Sequence, residues 1–161
     1  MSTQETNDMG LLHVILHEPR IAHNTGAIGR TCVATGATLW LVRPLGFHLD
    51  DRHVRRAGLD YWPRLKLRLV DRLDDAASEI GRDRLWFFST KGAVSYTSAA
   101  YRSGDGLVFG GETQGLPRSV LDHAGDRVVR IPIDPAARSL NLSNAVAIGV
   151  FEAVRQIELR A

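Results

Sequence analysis

Three short stretches carry the side chains and the backbone freedom that chemistry on a bound ligand needs. The first runs Asn24-Thr25-Gly26-Ala27-Ile28-Gly29-Arg30. Asn24 is placed to cap a helix, and Gly26 and Gly29 then fall on one side of its first turns. Side chains are nearly absent there, so another backbone or a nucleotide can come close. Two glycines in a helix cost roughly 1 kcal/mol each against alanine, so something compensates, and tight helix packing is the plain alternative. The second stretch, Phe109-Gly110-Gly111-Glu112-Thr113-Gln114-Gly115-Leu116-Pro117, takes an apolar run into a loop with three glycines and one carboxylate. Such a loop lets backbone N–H and C=O groups face a ligand, although it is neither G-x-G-x-x-G nor a phosphate loop with its lysine. The third extends from Ile131 to Asn144. An apolar, β-branched run from Val128 to Ile133 precedes a polar loop restrained by Pro132 and Pro135. Ser143 or Asn144 is then placed to cap an apolar helix over 145–154. Helix N-termini present unpaired N–H groups and partial positive charge, so such a loop can hold a ligand. Taken singly, each stretch also reads as plain structure: a capped core helix, a turn, a surface arginine.

The elements that must position these stretches follow from hydrophobic periodicity. Leu11 to Leu16, Thr38 to Val42, Leu85 to Ser89, Leu107 to Gly110 and Val128 to Ile133 read as strands, and Leu65 to Val70 as an amphipathic edge strand. Helices are expected from Asn24 to Thr35, ended by Gly36, from Asp50 or Asp51 to Ala57, from Asp71 to Ile80, and from Pro117 to Leu121. Leu73, Ala76, Ala77 and Ile80 share one face of the third of these. Strands alternating with helices predict an α/β domain, a parallel sheet covered on both faces. Such sheets bind ligands beyond the carboxyl ends of their strands, and the glycine-rich and Ser/Asn loops here follow strands.

One domain over 10–161 suits the length, with residues 1–9 expected as a disordered polar tail without signal-peptide character. No apolar run approaches the roughly 20 residues that span a membrane. Cys32 stands alone and no Cys/His cluster has zinc-site spacing, so the expectation is a metal-free protein of the reducing cytoplasm. Net charge is only +2, but eight Lys/Arg against four Asp lie between Arg43 and Arg72, interleaved with His48, His53, Tyr61 and Trp62. That mixture suits phosphates and stacked bases. It also suits a solvated face in an arginine-rich chain, since only two of the twenty basic residues are lysine.

In this order and at these separations, the three stretches are similar to one family. The chain resembles the SpoU branch of the SPOUT-class RNA 2′-O-ribose methyltransferases over residues 11–157. Arg55-Arg56-Ala57-Gly58-Leu59-Asp60-Tyr61 further resembles the single-domain members that methylate the tRNA wobble ribose, at cytidine or carboxymethylaminomethyluridine 34 of leucine tRNAs. The resemblance implies a mostly parallel sheet flanked by helices and a C-terminal deep trefoil knot, which periodicity could not reveal and the rarity of knots argues against. It implies S-adenosylmethionine bound in the knot loops, by position against Phe88, Gly110, Ile131, Ser139 and Leu140. It implies a homodimer with each active site completed across the interface, and the anticodon stem-loop of a tRNA as partner. The key catalytic role falls to Arg30, with Asn24 orienting its surroundings and Glu112 pairing with it or holding the loop. Ser143 and Asn144 would anchor the ribose or the cofactor edge. Arginine is a poor base, with a pKa above about 12, which favours positioning and electrostatic stabilisation over proton removal. With no RNA-binding domain appended, Arg52, Arg55 and Arg56 are expected to hold the RNA. The alternatives are the same reaction at another tRNA or rRNA position and a non-catalytic RNA-binding relative, which would show a broken first or third motif. A flavodoxin-like nucleotide binder expects a phosphate loop after the first strand, and Glu18 to His23 has no glycine.

Overall fold

The sheet that carries the loops is built from β1 (His13–His17), β2 (Thr38–Val42), β3 (Leu67–Val70), β4 (Leu85–Phe88), β5 (Val94–Ser95), β6 (Gly106–Phe109) and β7 (Val128–Arg130). Its strands run in the order β3-β2-β1-β6-β4-β7-β5, and every pairing is parallel. The helices are α1 (Ala22–Thr35), α2 (Arg52–Ala57), α3 (Leu73–Ile80), α4 (Arg118–Asp122) and α5 (Leu142–Glu158). This computed structural model describes residues 10–50, 52–57, 60–158 and 160, with the backbone alone at 53, 55 and 57. The expected tail at 1–9 and the Arg55 side chain lie outside the described residues.

Alternation along the strands divides the core into two layers. Val14, Leu16, Leu39, Leu41, Phe88 and Phe109 face Ile28 and Cys32 of α1 and Val146, Val150 and Ala153 of α5. Ile15, Trp40, Val42 and Val108 face Ala76, Ala77 and Ile80 of α3, the face the periodicity predicted. β3 is an edge strand, as its Leu/Arg alternation implies. Cys32, on the inner face of α1, is fully buried, and burial pushes its thiol up to about 12. At the amino-terminal end of β1, the Trp40 indole N–H donates to His13 Nδ1 at 3.0 Å. A neutral imidazole then carries its proton on Nε2, which is buried with no partner among the described residues.

Several boundaries differ from the sequence reading, each for a physical reason. β7 stops at Arg130 instead of running to Ile133, because Pro132 has no N–H for a ladder and the chain bends away. β5, two residues long, is an addition that no periodicity announces. α1 starts at Ala22, so Asn24 lies inside the helix and is not its cap. α5 starts at Leu142, with Asn141 ahead of it as the capping residue in place of Ser143 or Asn144.

Candidate active site

Three adjacent strands, β6, β4 and β7, end at the same edge of the sheet, and the loops that leave them enclose a cavity of about 570 Å³. Its walls come from 88–91 after β4, 109–116 after β6, and the 131–140 segment after β7, with Ile21, Leu121, Leu142 and Ala145 closing it. This is where parallel sheets bind ligands. All five residues expected to hold a cofactor, Phe88, Gly110, Ile131, Ser139 and Leu140, line this one cavity. Phe88 stacks on Phe109 with ring centres 4.5 Å apart and planes 22° from parallel. Gly149 lets α5 lie on that pair, since a Cβ there would sit 2.8 Å from the Phe88 ring. This mid-helix glycine therefore has its explanation inside the chain.

The glycine loop is folded tightly on itself. A Cβ at Gly110 would collide with the backbone of Gly115 and Leu116, and Gly115 itself takes a left-handed φ of 66°. Gly111 passes close to the Glu18 carbonyl, where a Cβ would be 3.0 Å from the oxygen. That approach brings Glu112 to the turn that opens α1. Its carboxylate accepts hydrogen bonds from the N–H of Arg20 at 2.8 Å and of Ile21 at 3.0 Å, and from the Asn24 amide at 3.3 Å. Asn24 Oδ1 in turn accepts from the Asn141 amide at 3.1 Å. Asn141 Oδ1 then accepts from the Ser143 hydroxyl at 2.6 Å and from the N–H groups of Ser143 and Asn144 at 2.9 and 3.4 Å. One hydrogen-bonded relay thus joins all three sequence stretches. Asn141 is its hinge, and it is the residue the sequence reading missed. Its S-x-N-x-S-N setting offers several cap residues in a row, and only geometry selects among them.

Other expected residues sit elsewhere. Arg30 is exposed on the outer side of α1, with its guanidinium 4.7 Å from the centre of the Tyr61 ring. It makes no pair with Glu112 and does not line the cavity. Nine residues at about 1.5 Å each place it about 13 Å along α1 from Ile21, the α1-side wall. Ser143 is half-buried in the relay, and Asn144 lies on the exposed stripe of α5 with Ile148, Phe151 and Arg155. Neither lines the cavity. Gly29 packs on Leu65 and Trp62, where a Cβ would meet them at 3.2 and 3.4 Å. Helix packing accounts for that glycine, and Trp62, which looked available for a base, is engaged in it. Among the described basic residues from Arg43 to Arg72, Arg43 pairs with Asp71, Arg68 with Glu79 and Arg72 with Asp74. Arg52 and Arg56 are exposed on α2 and have no side-chain bond to another described residue.

Known proteins share this fold. The profile of the SpoU rRNA methylase family matches residues 11–151. A tRNA (cytidine(34)-2′-O)-methyltransferase of Saccharophagus degradans is 45% identical over 148 residues, spanning 91% of this chain and 96% of its own. A structure solved for insight into the 2-OH methylation of C/U34 on tRNA superposes with a TM-score of 0.85 at 43% identity, covering 92% of this chain and 97% of its own. An AdoMet-bound rRNA methyltransferase from Sinorhizobium meliloti superposes at 0.79 with 29% identity, covering 91% of this chain and 56% of its own. With its three stretches joined around one cavity and the profile matched over nearly its whole length, the chain belongs to the SpoU rRNA methylase family.

Proposed function

We propose that the chain transfers the methyl group of S-adenosylmethionine to the 2′-hydroxyl of the ribose at tRNA wobble position 34. The observation that carries the proposal is the cavity: five residues from three separate loops converge on it, in a chain 45% identical to an enzyme named for that reaction. The cavity suits the cofactor. Its floor at Gly110 admits no Cβ, its walls include Phe88, Ile131 and Leu140, and backbone groups of the 110–115 loop edge it. A dry slot with a few polar groups is what a nucleoside requires. Bound there, S-adenosylmethionine would supply an electrophilic methyl on a sulfonium. Phe88, Ile131 and Leu140 would shield it from water, and the relay through Glu112, Asn24 and Asn141 holds the surrounding loops in register. Arg30 positions a phosphate or stabilises the developing alkoxide.

The placement of Arg30, about 13 Å along α1 from the cavity wall, supports a homodimer in which the partner subunit's arginine completes each site. The exposed apolar residues Ile21, Ile148 and Phe151 lie on α5 and beside the start of α1, next to Asn144, and suit that interface. We also read the 131–141 segment, which leaves β7 between β4 and β5 and returns to line the cavity, as part of a trefoil knot within a single domain. Arg52 and Arg56, with Arg55 beside them in sequence, are the proposed contacts to the anticodon stem-loop. Among the described residues no helix is long and apolar enough to cross a membrane and no cluster of His, Cys, Asp and Glu could hold a metal. A tRNA substrate makes the cytoplasm the expected compartment.

Incubating the purified protein with methyl-labelled cofactor and bulk tRNA, then mapping the modified nucleotide, tests the proposal. Label is expected at the 2′-oxygen of position 34. Label at another tRNA position would move the activity to the alternative substrate, and no incorporation would sink the reading. Arg30→Ala should keep the fold and cofactor affinity while losing roughly 10²-fold or more in rate.

A further inference from the structure

Two cations in the cavity wall have no part in the mechanism above. Lys91 and Arg138 both line the cavity, and both are exposed, so they stand at its mouth. Among the described residues, neither side chain has a hydrogen-bond or ion-pair partner. Each is nonetheless carried on a braced turn. The Lys91 N–H donates to Ser89 Oγ and the Gly92 N–H to the Ser89 carbonyl, both at 3.1 Å. Gly92 is pressed on β7, where a Cβ would lie 2.7 Å from the Val129 carbonyl carbon, so the turn packs directly against the sheet. On the other side, Asp134 accepts from the Ala136 N–H at its carboxylate, 2.8 Å, and from the Ala137 N–H at its carbonyl, 2.9 Å. Pro132 and Pro135 restrict the same loop.

The sign of the charge identifies the ligand. Among the described residues Glu112 is the one carboxylate in the wall, and its oxygens already accept from Arg20, Ile21 and Asn24. The mouth is therefore cationic. S-adenosylmethionine carries a sulfonium and an ammonium against a single carboxylate, so a pair of cations has the wrong sign for the cofactor as a whole. RNA phosphodiesters have the right one. Resting on the methyl-transfer reading above, we infer that Lys91 and Arg138 receive the phosphates flanking the target ribose. The rim of the cofactor cavity is then itself a substrate contact, separate from Arg52 and Arg56.

The test compares wild type with Lys91→Gln/Arg138→Gln in two measurements. Filter binding reads tRNA affinity between 50 and 300 mM salt and needs no turnover. Calorimetry reads cofactor affinity. The double variant should bind tRNA about tenfold or more weakly at low salt, and its log–log salt slope should fall by about 1.4, the release expected for two single-strand phosphates. Cofactor affinity should stay within about twofold. Each single variant should lower the slope by about half as much, which guards against a double variant that folds poorly. Cofactor binding weakened tenfold with an unchanged salt slope would overturn the inference and assign the cations to the cofactor carboxylate. No change in either measurement would leave them as solvated side chains and overturn it equally. Failure of wild type to bind cofactor would refute the proposed reaction, and the tRNA arm would still report on the rim.

Discussion

Glu112 ties two distant loops together through three accepted hydrogen bonds, two of them from the backbone that opens α1. Glu112→Gln keeps the shape but turns an NH2 group toward at least one of those donors. About 1–2 kcal/mol of stability should be lost, read by urea denaturation, together with most of the methyl transfer. Unaltered stability and rate would mean the relay has no consequence. The two imidazoles of β1, His13 buried at its start and His17 partly buried at its end, set a pH dependence. Burial holds His13 below its ordinary value, helped by the Arg84 and Arg68 charges, and burial does the same to His17 against the opposing pull of Glu18. As pH falls below about 6.5, the unfolded chain binds these protons before the folded chain does, so stability is full above that pH and falls below it. The urea midpoint should be flat from pH 8 to 7 and decline toward pH 5. His13→Gln, which still offers the Trp40 indole an acceptor, should flatten part of that slope. The residue scale also shows why the sequence was only partly legible. Gly110, Ile131, Ser139 and Leu140 sit in stretches that the sequence itself singles out, whereas Phe88 follows only from the family resemblance; all five line the cavity. Asn24 has the local spacing of a cap, but the carboxylate that satisfies the start of α1 comes from about ninety residues away, which no local spacing discloses.

Helix α5 decides whether the cavity keeps its shape. It lies on Phe88 and Phe109 at Gly149 and is capped by Asn141 at its start. Gly149→Leu should push the helix off the Phe88 ring, costing about 1–3 kcal/mol, and weaken cofactor binding as Phe88 shifts. Calorimetry beside denaturation checks both; a variant that binds cofactor normally would separate the helix from the site. The strands of the core were legible from their apolar runs, since both faces of the sheet are covered. The end of β7 was not, because Ile131 and Ile133 have the composition of a strand while Pro132 denies them the ladder. β5 was not either, being two residues that pair only because β7 is there.

At the scale of the whole molecule, the exposed stripe of Ile148 and Phe151, 36% and 53% accessible, is the surface the proposed dimer would cover. Ile148→Asp with Phe151→Asp should give a folded monomer by sedimentation, with cofactor still bound and methyl transfer abolished. A dimer that persists would place the contact elsewhere. Co-expressing Arg30→Ala with Ile131→Trp, which blocks the cavity, should restore activity in mixed dimers if the arginine acts across the interface. The proposed knot, unlike the sheet, would leave no trace in periodicity, because threading is a property of the path and not of any segment. The sealed position of Cys32, the single cysteine of the chain, has a practical corollary. A cysteine introduced on the surface would be the sole thiol open to a maleimide, so a spin label or dye can report on the native background. Slow reaction of Cys32 itself would then clock how often α1 lifts from the sheet.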